Sequence, residues 1–223
     1  MLEKIENSIA DAQMVLVGIG AEMEAEMEAD MDGQDASFYD SLKEQAERDP
    51  AAAQLFRFMQ AQKKGQRSRE ELEESYRKLS KLLEGKNYFI VSLCDDGLIY
   101  EAGFDTERVV TPAVREDDEA PSMEADDISN GKTEQLTPAG YEEKDWQRYM
   151  KWLQGILNRK LCILELGAGM EAPQVIRFAF EKITFFNQKA YLYRVHSKFP
   201  QLTEELKGRG CSIAMHPAEL LKE

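Results

Sequence analysis

Two apolar runs that each end in a Gly-x-Gly turn constrain the fold of this chain most strongly. The first covers residues 14–20, and the second covers residues 161–169. Each run is typical of a strand buried in a parallel sheet, with its glycine turn at the carboxyl end. Glycine in such a turn lets a ligand approach the backbone, and a following helix presents free N–H groups to phosphate. Because ligands of open α/β sheets bind at this edge, the pattern predicts a nucleotide site between the two turns.

Strand-like and helix-like segments alternate along most of the chain. The predicted strands are residues 14–19, 88–93, 108–110, 161–166, 190–195 and 211–214. The predicted helices are residues 2–11, 21–32 and 69–83, a segment carrying Trp146 and Leu153, and segments that follow or begin at Pro173, Pro200 and Pro217. This alternation predicts an α/β fold with a Rossmann-like, mainly parallel six-stranded sheet and helices on both faces.

Length and composition predict a single domain over residues 1–223. Residues 36–85 are helical in character and are interpreted as a small helical insertion. Residues 113–144 are rich in Pro, Ser, Asp, Glu and Gly, which predicts an acidic, weakly ordered loop.

Charge and apolar patterning exclude several classes of function. A formal net charge of −14 repels nucleic acid and anionic lipid. No apolar stretch approaches the ~20 residues of a membrane-spanning helix, and the N-terminal residues lack the features of a signal peptide. We therefore expect a cytoplasmic protein with no nucleic-acid or membrane partner, while a protein partner or a homodimer stays open. Its three cysteines form no Cys-x-x-Cys pair, which argues against a thiolate zinc site.

Neither glycine turn carries a complete nucleotide-binding motif. After residues 18–20, Gly-Ile-Gly, the third glycine of the dinucleotide fingerprint is replaced by Met23, and the chain has no P-loop Gly-Lys-Ser/Thr. Residues 165–169, Glu-Leu-Gly-Ala-Gly, resemble the first motif of S-adenosylmethionine-dependent methyltransferases, with Glu171 at the third glycine. A methyltransferase is therefore an alternative, although only about fifty residues remain for the strand–helix units that this family places downstream.

Residues 87–110 resemble the sirtuins, the silent-information-regulator family of NAD-dependent deacylases. That family has a strand, then Thr-Gln-Asn-Ile-Asp, Leu-His, Ala-Gly and a catalytic His-Gly. Here residues 92–99 read Ser-Leu-Cys-Asp-Asp-Gly-Leu-Ile, and Ala102-Gly103 follows in register. Four further segments match family motifs in the same order along the chain. Residues 18–22 match the family's Gly-Ala-Gly-x-Ser, and residues 167–170 match its Gly-Thr-Ser-Leu. Residues 195–196 match its Ile-Asn, and residues 218–219 match its last cofactor contact. The resemblance spans about residues 10–222.

This resemblance implies NAD or ADP-ribose as the cofactor, bound along the sheet edge that carries the glycine turns. The cofactor-binding residues that it implies are Gly18, Ile19, Gly20, Ala21, Glu22, Cys94, Asp95, Asp96, Gly167, Ala168, Gly169, Met170, Val195, His196, Ala218 and Glu219.

Departures from the family pattern concern its chemistry. The asparagine that orients the nicotinamide ribose aligns with Cys94, and the catalytic His-Gly aligns near Pro112-Ala113, which offers no base. The two histidines of the chain, His196 and His216, lie elsewhere in the sequence. The four-cysteine zinc module would fall within residues 113–144, which contain no cysteine. The resemblance therefore implies a zinc-free, sirtuin-like pseudoenzyme or interaction module that binds NAD or ADP-ribose without classical deacylase activity.

An active enzyme is the alternative: an NAD-dependent deacylase, an NAD hydrolase or an ADP-ribosyltransferase that uses other residues. Cys94, Asp95 and Asp96 are its catalytic candidates, since they are the reactive groups nearest the expected pocket. Against this role, acidic neighbours raise the pKa of a thiol, and aspartates in turns commonly cap the main chain. Glu22 stands where the family has serine. Two unit charges about 4 Å apart repel by about 4 kcal/mol at an effective dielectric near 20, so a carboxylate facing the turn would oppose phosphate binding.

Overall fold

Six parallel strands form one sheet in the computed structural model of this chain. The structure describes residues 1–25, 67–94, 96–112 and 143–222, and between them residues 41, 43, 45, 49, 52 and 53. The strands are β1 (Met14–Ile19), β2 (Tyr88–Ser92), β3 (Val109–Val110), β4 (Leu161–Leu166), β5 (Ala190–Val195) and β6 (Gly210–Ile213). The helices are α1 (Leu2–Asp11), α2 (Arg69–Leu83), α3 (Leu98–Glu101), α4 (Glu143–Gln154), α5 (Arg177–Phe186) and α6 (Pro217–Lys222). Short 3₁₀ turns cover Ala21–Met23, Thr106–Arg108 and Glu204–Leu206.

The strand order is β3-β2-β1-β4-β5-β6, and every pairing is parallel. The predicted six-stranded α/β sheet is thus confirmed, in the order typical of doubly wound folds. The order reverses between β1 and β4, where Gly18 lies opposite Glu165 and Ile19 opposite Leu166. The carboxyl ends of these two strands mark the place where open α/β sheets bind their ligands.

Helices cover both faces of the sheet, which explains why its central strands are apolar on both sides. On one face, α1, α2, α3 and α6 pack against β1 residues that include Val15 and Val17. On the other face, α4 and α5 pack against Leu16 of β1 and Ile163 of β4. Because side chains alternate between faces along a strand, the uninterrupted apolar run of β1 contributes to both cores.

Local signals determine several elements with their boundaries. The bounds predicted for α1, β1, β4 and β5 coincide with the observed ones. Helix α2 begins after Ser68, whose hydroxyl accepts a hydrogen bond from the Glu71 N–H at 3.3 Å, and Gly85 follows its end with φ +71°. Capping and periodicity act over a few residues, so they can be read without knowledge of the tertiary fold.

The helix predicted at residues 21–32 is wrong over the residues that the structure describes. Only the 3₁₀ turn at Ala21–Met23 forms, and Glu24 has an extended backbone. Tertiary contacts hold this segment: the Tyr76 hydroxyl donates to the Met23 carbonyl at 3.1 Å, and an Asp96 oxygen accepts from the Ala25 N–H at 2.6 Å. Such contacts override helix propensity. Residues 26–32 lie outside the described part of the chain.

The helix predicted from Pro200 is also wrong. Residues 200–203 have no regular structure, and only the 3₁₀ turn Glu204–Leu206 follows. The carbonyls of Phe199 and Gln201 accept hydrogen bonds from Arg177, and that of Gln201 also accepts one from Arg194 at 2.7 Å. These carbonyls therefore face buried guanidinium groups and not the N–H groups of a helix.

Most of the helical insertion predicted at residues 36–85 lies outside the described residues, although α2 belongs to its last part. The acidic loop predicted at residues 113–144 lies outside them almost entirely. Both therefore stay predictions. No helix among the described residues is long and apolar enough to cross a membrane.

Candidate functional site

The glycine turns after β1 and β4 lie backbone against backbone where the strand order reverses. The Gly20 N–H donates to the Leu166 carbonyl at 2.9 Å, and the Glu22 N–H donates to the Gly167 carbonyl at 3.3 Å. A Cβ atom on Gly20 would lie 2.3 Å from Cα of Ala168, so only glycine permits this contact. The two turns therefore meet at one sheet edge, as the sequence predicts, and Gly20 is explained by the contact between them.

Neither turn leads directly into a helix, which corrects part of the sequence argument. The 3₁₀ turn follows β1, and residues 167–176 separate β4 from α5. A Cβ atom on Gly18 would lie 2.5 Å from a side-chain atom of Ile176 and 2.6 Å from one of Phe180. Gly18 thus makes room for α5, and the main-chain donors at this edge belong to turns.

We call the sheet edge between the turns after β1, β4 and β5 (residues 20–22, 167–171 and 196–199) the crevice. Glu22 reaches across it from the β1 turn to the turn after β5. Its carboxylate accepts hydrogen bonds from the Ser197 N–H at 3.0 and 3.2 Å and from the Ser197 hydroxyl. The side chain is 16% exposed, and its Oε1 atom lies 3.2 Å from Nδ1 of His196. From the sequence, we expect a Glu22 carboxylate that faces the turn to repel a phosphate. In the structure, this carboxylate lies at the crevice.

His196, directly after β5, is buried. Its Nδ1 atom accepts hydrogen bonds from the N–H groups of Lys198 and Phe199 at 3.0 and 3.2 Å. Burial, with a smaller effect from the positive charge of Arg177, lowers the pKa of His196 to about 4. The imidazole is therefore neutral at pH 7, and its short approach to Glu22 is not an ion pair.

His216 has a similar role after β6. Its Nδ1 atom accepts a hydrogen bond from the Ala218 N–H at 3.1 Å, and burial lowers the pKa of the imidazole. Helix α6 begins at this point and contacts the 3₁₀ turn Ala21–Met23. Glu219, in the first turn of α6, forms an ion pair with Arg67. The start of α6 therefore lies at the same sheet edge as the glycine turns.

Glu171 places a second carboxylate against the β4 turn. A Cβ atom on Gly169 would lie 2.3 Å from Oε2 of Glu171, so this carboxylate lies over the main chain of the turn. Burial lowers the pKa values of Arg177 and His196, and the negative charge of Glu171 has a smaller effect in the opposite direction. The crevice thus combines main-chain donors with two carboxylates.

A buried ion network supports the β4 and β5 turns from the core. Arg194 donates to both oxygens of Glu165, at 2.7 and 2.9 Å, and to Glu181 at 2.7 Å. Arg177 lies 3.6 Å from the Glu165 carboxylate and donates to the Ala168 carbonyl at 2.8 Å. Burial raises the pKa of Glu165, and Arg194 acts in the opposite direction. Because the Glu165 side chain is 0% exposed, it contacts no ligand in this arrangement, and the methyltransferase alternative gains no support from it.

Two catalytic candidates on the turn after β2 are engaged by the main chain. The Cys94 thiol is buried and donates to the Gly20 carbonyl at 3.3 Å, and burial raises its pKa to about 12. The two oxygens of Asp96 accept hydrogen bonds from main-chain N–H groups at 2.6 and 3.1 Å. A protonated thiol is a poor nucleophile, and the Asp96 carboxylate caps the main chain. Asp95 lies outside the described residues.

Comparison with known proteins bears on the fold. No protein-family model matches the chain, and no curated protein matches it. A solved structure concerned with the basis of sirtuin substrate affinity matches with a TM-score of 0.51 and 13% identity, covering 100% of this chain and 96% of that one. A Sir2 mutant with a p53 peptide and NAD matches with a TM-score of 0.51, 12% identity and the same coverage. The fold is sirtuin-like. At this level of identity the likeness extends to the fold alone.

In the sirtuin-like fold, the described residues with an implied cofactor role lie at the carboxyl edge of the sheet or on the turns that follow it. Ile19 and Val195 are fully buried strand residues, and their carbonyls accept the N–H groups of Leu93 and Gly167 at 2.8 Å. Their side chains therefore belong to the core, whereas Met170 is exposed. Contact of these residues with a nucleotide stays a prediction.

Sequence reasoning missed the part played by Ser197, Arg177 and Arg194. Arg194 had a detectable signal, because it is a charged residue in an apolar strand and faces Glu165 on the neighbouring strand. Ser197 had none, since its role depends on Glu22, 175 residues away in the sequence.

Proposed function

We propose that this chain is a sirtuin-like domain that binds NAD or its ADP-ribose part at the crevice between β1 and β4, without deacylase chemistry. The observation that carries the proposal is the pair of glycine turns in contact at the reversal point of the parallel sheet. Open α/β sheets bind dinucleotides at that point. One of the sirtuin structures of similar fold contains NAD.

The residues near the crevice support the second half of the proposal. Pro112 stands near the position of the family's catalytic histidine, and it has no group that accepts a proton. His196 and His216 lie at the crevice edge, but each uses Nδ1 as an acceptor of main-chain N–H groups, and burial lowers the pKa of each imidazole. A lowered pKa makes an imidazole a weaker base, and Nδ1 of each ring is already occupied by main-chain donors.

A second candidate is an NAD-consuming hydrolase or transferase. The observation that favours it is that a histidine and a carboxylate lie at the same crevice, with Nδ1 of His196 3.2 Å from the Glu22 carboxylate. Since this Nδ1 accepts main-chain N–H groups, the two side chains are not hydrogen-bonded to each other. In this candidate one of the two side chains would accept a proton from a ribose hydroxyl or a water molecule.

Calorimetric titration with ADP-ribose, NAD and S-adenosylmethionine tests the binding. We expect ADP-ribose and NAD to bind, and a ligand at about 100 times its Kd adds ~2.7 kcal/mol to the free energy of unfolding. Ala21 is exposed on the β1 turn, so Ala21→Trp should weaken ADP-ribose binding about tenfold or more. Gln188 is exposed at the opposite edge of the sheet, and Gln188→Trp is the matched control that should leave binding unchanged. Binding of S-adenosylmethionine, together with no binding of ADP-ribose or NAD, would contradict the proposal.

Nicotinamide release from NAD, measured by chromatography, separates the two candidates. We expect none above the rate without protein. Release that is lost in His196→Asn would establish the hydrolase or transferase and overturn the pseudoenzyme. Release that survives this substitution would show that another residue acts as the base, which would also overturn the pseudoenzyme.

A further inference from the structure

We propose that the Glu22 carboxylate is an internal anion that occupies the donors meant for a ligand diphosphate, so that Glu22 sets the affinity and selectivity of the crevice. This inference rests on the proposed function, because it concerns the same crevice. It identifies the residue that decides whether a charged or an uncharged part of a nucleotide is accepted there.

The first support is the way in which the Glu22 carboxylate is held. Both of its oxygens accept hydrogen bonds from the Ser197 N–H, at 3.0 and 3.2 Å, and one also accepts the Ser197 hydroxyl. The neighbouring His196 ring is neutral, since burial lowers its pKa to about 4. A carboxylate is therefore bound by uncharged donors at the end of a strand, which is the kind of arrangement that also binds phosphate.

The second support is the position of Glu22, which is anchored on both sides of the crevice. Its N–H donates to the Gly167 carbonyl at 3.3 Å, and a Cβ atom on Gly167 would lie 2.6 Å from Cβ of Glu22. Its carboxylate reaches Ser197 on the turn after β5. The side chain thus links the β1, β4 and β5 turns at the place where the strand order directs a ligand.

A ligand diphosphate would compete with Glu22 for the Ser197 donors and would meet a like charge while doing so. An uncharged nucleoside meets no such repulsion. The natural chain should therefore bind ADP-ribose more weakly than a variant without the Glu22 charge. Removal of this charge should strengthen binding of ADP-ribose but not of adenosine.

Titration calorimetry of Glu22→Gln and Glu22→Ser with ADP-ribose and with adenosine tests this inference. Gln keeps the length of the side chain without its charge, whereas Ser removes both. We expect each variant to bind ADP-ribose at least tenfold more tightly than the natural chain, with adenosine affinity changed less than threefold. Glu84→Gln is the matched control, because Glu84 is exposed between the end of α2 and the amino end of β2, so the change removes one negative charge at the sheet edge opposite the crevice. It should change ADP-ribose affinity less than threefold.

Hydrogen exchange of the Ser197 N–H gives a second readout that does not depend on affinity. In the natural chain this N–H should exchange slowly, because Glu22 accepts it. In Glu22→Ser it should exchange faster when the crevice is empty and slow again when ADP-ribose is bound. Faster exchange that ADP-ribose does not reverse would show that the ligand does not take over the Ser197 donor, and would overturn the inference.

The outcomes separate this inference from the proposed function. If the natural chain and the Glu22 variants bind ADP-ribose equally, Glu22 does not control the crevice and the proposed function stands. If the Glu22 variants bind more weakly, Glu22 is a ligand contact and the inference is overturned. An equal gain in affinity in Glu84→Gln would show that the net charge of the protein causes the effect, and would also overturn the inference. If neither the natural chain nor any variant binds ADP-ribose, the proposed function fails and the inference fails with it.

Discussion

Replacement of Arg194 by methionine tests whether the buried ion network supports the sheet edge that carries the crevice. The Arg194 guanidinium is 1% exposed and donates to both oxygens of Glu165. Methionine retains much of the apolar volume but no charge. The variant would leave the fully buried Glu165 carboxylate with Arg177 at 3.6 Å as its nearest described cationic neighbour.

The expected loss follows from the burial of the remaining charge. Removal of one partner of a buried ion pair costs about 3–5 kcal/mol, because the other charge stays in the core without compensation. An exposed pair contributes at most about 1 kcal/mol. Lys160→Met is therefore the control, since Lys160 and Asp11 form an ion pair with side chains that are 57% and 73% exposed. With a urea slope of about 2 kcal/mol per molar, Arg194→Met should lower the midpoint by about 2 M, and the control should leave it nearly unchanged.

The pH dependence of the loss has a definite sign. Burial raises the pKa of Glu165 while Arg194 opposes it, so loss of Arg194 should raise the pKa in the folded variant further above its value in the unfolded chain. The folded variant then binds a proton at a pH where the unfolded chain does not. Its stability deficit should therefore shrink as the pH falls from 7 to 5.

Urea denaturation followed by far-UV circular dichroism at both pH values measures these quantities. The double variant Arg194→Met/Glu165→Leu removes the orphaned charge and should recover at least half of the loss at pH 7. A midpoint for Arg194→Met within about 0.5 M of the natural chain would refute the reasoning. A double variant no more stable than the single variant would refute it as well.

Three further predictions concern single residues near the crevice. Gly20→Ala should lose about 3 kcal/mol, because its Cβ would strike the main chain of the β4 turn at 2.3 Å, whereas Gly208→Ala, with φ +84° and nothing within 4 Å, should lose about 1 kcal/mol through backbone strain. Equal losses in thermal denaturation would contradict the close contact. The Cys94 thiol, with a pKa raised to about 12, should react with iodoacetamide at pH 8 about tenfold more slowly than the partly exposed Cys211, as mass spectrometry of the labelled peptides would show. Because burial lowers the pKa of His196 to about 4, below the value of about 6.5 in an unfolded chain, its contribution to stability is complete above pH 6.5 and is lost as the pH falls toward 4. His196→Asn should therefore lose less stability than the natural chain between pH 7 and pH 5, and an identical loss in urea titrations would contradict this.

The apolar runs of β1, β4 and β5 could be read from the sequence because burial on both faces demands an uninterrupted apolar run. Helix α2 could be read from its periodic apolar residues and from Ser68 before its start. The position of the glycine turns could also be predicted, since each turn follows a strand and parallel strands have their carboxyl ends at one edge of the sheet. The strands, the helix and each glycine turn depend on neighbours a few residues away, whereas the meeting of the two turns follows from the general geometry of parallel sheets.

Helix propensity gave a wrong prediction where side chains distant in the sequence form hydrogen bonds with the main chain. Residues 21–25 have strong helix formers, yet Tyr76 and Asp96 bind the Met23 carbonyl and the Ala25 N–H. Local sequence carries no record of such partners, so propensity alone predicts a helix there.

By itself, the sequence determined the parallel six-stranded sheet, the edge at which the two glycine turns meet, and the acidic residue placed beside them. Only the tertiary structure decided what each group at that edge does. It joins the Glu22 carboxylate to Ser197, makes His196 a neutral acceptor of main-chain N–H groups, and encloses Glu165 with Arg194. The physical reason is that charge, burial and hydrogen-bond partners are properties of a three-dimensional neighbourhood, whereas strands and turns arise from patterns along the chain.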